Sequence, residues 1–364
     1  MKRSEEMLFA LLRSSLHERE AELPFFRSAA DEEWKECYRI AVAQGVMALA
    51  WDGVLRLPKE LQPPLSIKVT WAMAVERYES KYMRYCRTVD ELTSFYAGHG
   101  ISTIQLKGVG FSTLYPVPSH REGGDIDIYT SSADKSRLTD EQANLLADML
   151  MEQQGIEVER THYKHSHFIY KGIPIENHKF FVNVKGIKEA IKADETLHRE
   201  LKPQTVQLAE GRAVVPSGAF NTLFIAFHTL QHYGSGLSLH HLCDWAMILK
   251  HYGPELPEGI GSKPFMQGVY GMTRLCNRYL GTSVAVSGGE KVAEEIMREI
   301  FDPPYRTVEP VKDKVGIIIY KTKRLLHAHH LKSSVFDISL GKCIWDSIIF
   351  HIKRPHTIFA RNSK

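Results

Sequence analysis

The chain has 364 residues, 43% of them hydrophobic and 24% charged, with a formal net charge of +3. This is the composition of an ordinary globular protein, long enough for a full core and two or three domains. The balance of charge neither demands nor excludes nucleic acid, and no long basic stripe with interleaved aromatics is present. The opening Met1-Lys2-Arg3-Ser4-Glu5-Glu6 leads into a short apolar run, 7–12, that Arg13 interrupts, so it reads as neither a signal peptide nor a membrane anchor. Residues 1–98 read as helical. Met7, Leu8, Leu11 and Leu12 recur at helical spacing, and a long helix follows the Pro63-Pro64 break and ends before Gly98 and Gly100. Residues 99–216 change character. Short β-like runs (102–106, 125–129, 165–170, 173–179 and 212–215) alternate with helices near 139–153 and 184–201. From Ser217, a sound N-cap, the pattern returns to helix through 217–364, with helices expected near 239–252, 263–280, 290–301, 311–331 and 342–351. The expected fold class is α+β: a small mixed-sheet core, 99–216, between an N-terminal helical region, 1–98, and a C-terminal helical domain.

Five cysteines (Cys37, Cys86, Cys243, Cys276, Cys343) are widely spaced and form no Cys-x-x-Cys, which argues against a disulfide framework or a zinc site and for a reducing cytoplasm. No segment approaches the length of a membrane helix. The basic stretch 351–364 reads as a solvated tail.

The richest stretch is Gly124-Asp125-Ile126-Asp127-Ile128. On a strand, residues i and i+2 point to one face, so Asp125 and Asp127 place two like charges together while Ile126 and Ile128 face a core. A divalent cation held by oxygen ligands, with substrate phosphates completing its shell, resolves the repulsion. Upstream, Ile104-Gln105-Leu106-Lys107-Gly108 reads as a strand running into a glycine turn and a short helix, 109–115, a plausible phosphate cradle. Lys107 supplies a point charge for a β- or γ-phosphate, and Gly108 lets the backbone approach. Arg121 either neutralises a triphosphate or pairs with Asp125 or Glu122. Glu176, in Ile173-Pro174-Ile175-Glu176-Asn177-His178, is the candidate third carboxylate, on a strand that Pro174 should confine to an edge or to its first residue. His162, His165, His167 and His178 crowd near it, and one of them can serve in proton transfer.

The order Leu106-Lys107-Gly108, Tyr115-Pro116, Arg121, Gly124-Asp125-Ile126-Asp127-Ile128 resembles the uncharacterised bacterial nucleotidyltransferase family of the DNA polymerase beta-like superfamily. The motifs span roughly residues 100–180, with weaker similarity to about residue 250. The resemblance implies a polymerase beta-like fold and Mg2+-dependent transfer of a nucleoside monophosphate from a nucleoside triphosphate to a hydroxyl acceptor. It further implies a two-metal site at Asp125, Asp127 and Glu176, and nucleotide contacts at Lys107, Gly108, Arg121 and Gly124. The family also carries a histidine-containing helix followed by an aspartate-containing one over the site, which makes His228, His232 and Asp244, with His178, candidate substrate contacts. Lys107-Gly108 replaces the superfamily's Gly-Ser, so the serine that would bond the triphosphate is missing. Two alternatives stand beside this reading. His228 and His232, four apart on one helix, with His240, His241 and Asp244 on the next, suit a metal-dependent phosphohydrolase, although no His-Asp dipeptide occurs there. A non-catalytic nucleotide- or partner-binding module is the other. The acceptor, whether small molecule, sugar, protein or RNA, has no sequence code.

Overall fold

A computed structural model of the chain describes residues 1–185, 187–304 and 314–353. The helices α1 (Arg3–His17), α2 (Asp31–Ala43) and α3 (Met47–Leu55) come first. Met7, Leu8, Leu11 and Leu12 of α1 are fully buried. α3 crosses α1 at Gly53, where an added Cβ would lie 2.5 Å from the Leu11 carbonyl oxygen. Only glycine fits so close a backbone approach.

The prolines ahead of α4 (Leu65–Ala97) fix the chain's entry, and Gly100, at φ 74°, turns its exit into the sheet. α4 serves two cores. Trp71 and Val75 pack with α1–α3, and Trp71 Nε1 donates to the Met47 carbonyl at 2.9 Å. Tyr85, Cys86, Val89, Leu92 and Tyr96 pack under the sheet.

The sheet contains β1 (Ile101–Gln105), β2 (Ile126–Ser132), β3 (Val158–Glu159), β4 (His165–Tyr170) and β5 (Ile173–His178), in the order β1-β2-β5-β4-β3. β2 and β5 are parallel and the remaining pairs antiparallel, so the sheet is mixed and the fold α+β. α5 (Val109–Ser112) is a single turn, and α6 (Asp140–Gln153) starts on a Thr139 cap that accepts from Gln142 N at 3.2 Å. α7 (Lys188–Glu200) leads to a separate hairpin, β6 (Gln204–Gln207) and β7 (Arg212–Val215). α8 (Gly218–His232), capped by Ser217 Oγ on Phe220 N at 3.1 Å, α9 (Leu239–His251), α10 (Lys263–Leu275), α11 (Glu290–Phe301), α12 (Lys314–Ser333) and α13 (Leu340–Lys353) follow. No helix among the described residues is long and apolar enough to cross a membrane. Of the expected basic tail, residue 354 onward lies outside the described residues, as do residues 311–313 of the expected 311–331 helix.

Two expectations about the sheet need correction. β5 is an interior strand, flanked by β2 and β4, with Pro174 as its second residue, although Pro174 predicted an edge strand or a place at the strand's first residue. Its pairing with β2 begins only at Ile175, opposite Ile126, so Pro174 lies beyond the end of that ladder and its missing N–H costs no bond there. The two-residue β3 and the exposed β6 were not expected, because neither is long enough to show a period.

One face of β2, β5 and β4 carries Ile126, Ile128, Ile175 and Phe168 into a core with Ala143, Ala147 and Met151 of α6. Alternation sends Asp127, Glu176, His178, His165 and His167 to the other face.

Candidate active site

The loop before β2 is pinned from α4: Lys81 Nζ donates to the Gly123 carbonyl at 2.7 Å and Tyr85 Oη to the Gly124 carbonyl at 3.0 Å. Asp125 is thereby set at the mouth of β2 and Asp127 two residues further in. Gly108 caps α5 at φ 62° and ψ −131°, a conformation that L side chains rarely adopt. The turn carries Lys107 back over β2.

In the parallel ladder Asp127 stands directly opposite Glu176. One carboxylate oxygen from each of Asp125, Asp127 and Glu176 lies within 4.8 Å of the other two. Lys107 Nζ sits 3.2 Å from Asp127 Oδ2 and 3.9 Å from Asp125 Oδ1. Burial alone would lower the Lys107 pKa, but Asp127 and then Asp125 overcome it and raise it. Asp125 is pushed up from the usual carboxylate range, first by the charge of Asp127 and then by burial. Asp127 is almost fully buried, which favours its neutral form, yet Lys107 and His178 hold it below that range. Burial also works against ionised Glu176, and His165 and His178 outweigh it. His178 Nε2 is 2.9 Å from Asp127 Oδ1 and 3.5 Å from Glu176 Oε2, while His165 Nδ1 is 2.8 Å from Glu176 Oε2.

This donor set fits a divalent cation. Asp127 Oδ2 is buried without a hydrogen-bond partner among the described residues, and the ammonium of Lys107 is the cation beside it. Three converging carboxylates are the hard oxygen ligands such an ion takes.

Arg121 departs from the ion pairing that the sequence suggested. Its structural partner is neither Asp125 nor Glu122 but Asp244 of α9, gripped through Nε to Oδ1 at 2.8 Å and Nη2 to Oδ2 at 2.6 Å. Tyr115 Oη donates to the same Oδ1 at 2.5 Å, so the Asp244 carboxylate ties α9 to the loop ahead of the site. Ring nitrogens of His228, His232 and His241 lie within 4.8 Å of one another. Burial and then the charge of Lys107 lower His228 well below its usual value and His232 to about 4. For His241, burial comes first and the neighbouring imidazoles next, with Lys107 adding to them. A family model described as "Uncharacterised nucleotidyltransferase" matches residues 30–259.

The chain belongs to this nucleotidyltransferase family. A solved structure described as an antigenic nucleotidyltransferase-like protein from Paracoccidioides brasiliensis is similar at 12% identity and a TM-score of 0.34, with 59% of this chain and 92% of that chain covered. No curated protein matches the chain.

The nucleotidyltransferase match takes in every candidate site residue, from Lys107 to Asp244. The sequence reading missed three features of the site. Lys164 lies close enough to Asp127, Lys107 and Glu176 for their charges to act on it, and burial lowers its pKa. It precedes β4 with no motif of its own. The Tyr115–Asp244–Arg121 link spans more than a hundred residues of chain. Behind the sheet, Asn177 Nδ2 and Ser166 Oγ both donate to buried Asp148 Oδ1, at 2.9 and 2.7 Å, and Asn144 Nδ2 donates to Asn177 Oδ1 at 2.8 Å. The signal for that network was present as two polar residues, Asn144 and Asp148, on the same helix face as Ala147.

Proposed function

We propose that this nucleotidyltransferase moves a nucleoside monophosphate from a nucleoside triphosphate to a hydroxyl acceptor, with Asp125, Asp127 and Glu176 holding magnesium. The observation that carries the reading is the convergence of these three carboxylates on one sheet face, with the Asp127 carboxylate almost fully buried beside Lys107. When bound, a pair of ions supplies positive charge at the attacking and leaving oxygens. Lys107, now paired with Asp127, turns to the β- or γ-phosphate as the leaving pyrophosphate develops charge. Gly108 and Gly124 allow the backbone to approach the nucleotide. Asp244 fixes the plane of Arg121, which presents its remaining N–H groups along the Gly108 turn, where Nη1 already meets the Gly108 carbonyl at 3.4 Å. Neutral His228 and His232 act as hydrogen-bonding contacts for substrate, and 99–216 acts as the catalytic unit between helical units 1–98 and 217–364. The acceptor is an alcohol whose recognition belongs to the α8–α9 side.

The test is calorimetry of nucleoside triphosphate binding with and without Mg2+, in wild type and Asp127→Asn. Binding that depends on Mg2+ in wild type and loses that dependence in the variant supports the reading. Identical binding by the two proteins overturns it and leaves the non-catalytic binding module or a metal site at His228, His232 and His241.

A further inference from the structure

We infer that His178 is a metal ligand, which makes this centre a mixed nitrogen–oxygen site rather than an all-carboxylate one. The inference rests on the proposed reading that Asp125, Asp127 and Glu176 hold a divalent cation.

His178 is fully buried at the end of β5. Its Nδ1 lies 3.1 Å from the Phe180 carbonyl oxygen, which can only accept, so Nδ1 carries the proton. Nε2 turns toward the carboxylates and is hydrogen-bonded to Asp127. Nε2 faces Asp127 Oδ1 at 2.9 Å and Glu176 Oε2 at 3.5 Å. A metal ion bound here would take the place of the hydrogen in that contact, with Nε2 and the carboxylate oxygens as adjacent ligands.

Three observations suit the ring to that role. A ring N–H donated to a backbone carbonyl is the usual outer support of a metal-ligating histidine, because it fixes tautomer and ring orientation. The spacing suits adjacent ligands: bonds of about 2.1 Å at right angles put two donor atoms about 3.0 Å apart. The neighbouring shell is prepared as well, since His165 Nδ1 lies 2.8 Å from Glu176 Oε2, and His165, Glu176 and His178 have donor atoms within 4.8 Å of one another. An imidazole ligand weakens the preference for Mg2+, an oxygen-seeking ion, relative to first-row transition ions, of which Mn2+ is the one that also suits carboxylates.

Mn2+ is itself the probe. Mn2+ is titrated into the full chain, and pulsed electron paramagnetic resonance reads whether nitrogen is directly bound, in unlabelled protein and in protein carrying 15N-histidine. His178→Asn keeps an N–H within reach of Phe180 and has no atom at the Nε2 position. The expected result is a directly coordinated 14N signal in wild type that becomes a 15N signal on histidine labelling. It disappears in His178→Asn, whose Mn2+ affinity falls by about tenfold or more, and it survives in His167→Gln on the neighbouring strand. Labelling settles nitrogen ligation without any variant, so a misfolded His178→Asn does not spare the inference. Bound Mn2+ without histidine nitrogen, or with a nitrogen signal that outlasts the loss of His178, overturns the inference and leaves the carboxylate site standing. Absence of Mn2+ binding at that site, with Asp127→Asn indistinguishable from wild type, overturns both.

Discussion

Lys107 Nζ lies 3.2 Å from Asp127 Oδ2 and 3.9 Å from Asp125 Oδ1, so the ammonium proposed to meet a phosphate now neutralises the carboxylate pair. Roles of carboxylate and ammonium separate on mutation. Lys107→Ala weakens triphosphate binding by roughly 1.5–3 kcal/mol, the worth of one charge-assisted contact, measured by calorimetry. Unchanged nucleotide affinity in that variant would remove Lys107 from the nucleotide site. Asp127→Asn keeps size and one oxygen but deletes a charge, and lowers turnover by more than the roughly 100-fold that losing an outer-shell partner costs. Its circular dichroism spectrum stays that of wild type, because relieving carboxylate repulsion does not cost the fold. The aspartate pair was legible from its i, i+2 spacing between isoleucines, and Glu176 from the acidic position in a second apolar run. Lys164 and the grip of Asp244 on Arg121 were not, since each depends on which chain segments fold against one another.

Register decides whether the carboxylates meet. Slipping β5 by one residue would send Glu176 and His178 to the α6 side and bring Asn177 to the site. The lock is the buried network behind the sheet, in which Asp148 Oδ1 accepts from Asn177 and Ser166 while Arg160 Nε stands 3.2 Å from Oδ2. Asp148→Ala removes the buried acceptor shared by Ser166 Oγ and Asn177 Nδ2 and costs about 2–4 kcal/mol of unfolding free energy in denaturant titration. Metal affinity falls with it, as the strand holding Glu176 loosens. A variant as stable as wild type would show the network to be incidental. Most elements were readable: the Thr139 and Ser217 caps start helices where side-chain chemistry says they should. The interior position of β5 was not, because Pro174 argues locally for an edge and only the staggered end of β2 makes it harmless.

Across the whole molecule, the N- and C-terminal helices share a hydrophobic core. Phe9 of α1 stacks on Tyr279 at 4.8 Å, and Gln44 Nε2 donates to the Ile300 carbonyl at 2.9 Å. That sharing is invisible to helical periodicity, which marks a buried face without naming what covers it. Glu122 is half-buried against α3, where Ala48 N donates to Oε1 at 3.1 Å. Burial raises this carboxyl from 4.5 to about 7, against the pull of the α3 backbone N–H groups. Between those values the folded state keeps a proton that the unfolded chain has released, so stability falls as pH rises through the window and levels above it. Glu122→Gln removes the effect: relative to wild type it gains about 2–3 kcal/mol between pH 4.5 and 7.5 in denaturant midpoints at constant m. A constant difference across that range would mean Glu122 is ionised throughout. The central claim, nucleotidyl transfer at the carboxylate centre, is tested most directly by where label goes. Nucleoside triphosphate labelled at either the α- or the γ-phosphate is incubated with wild type or Asp127→Asn and a cell extract. Transfer of the α label to an acceptor by wild type alone, with the γ label released in pyrophosphate, is the expected result. Transfer of the γ label, or equal α labelling by Asp127→Asn, would contradict it.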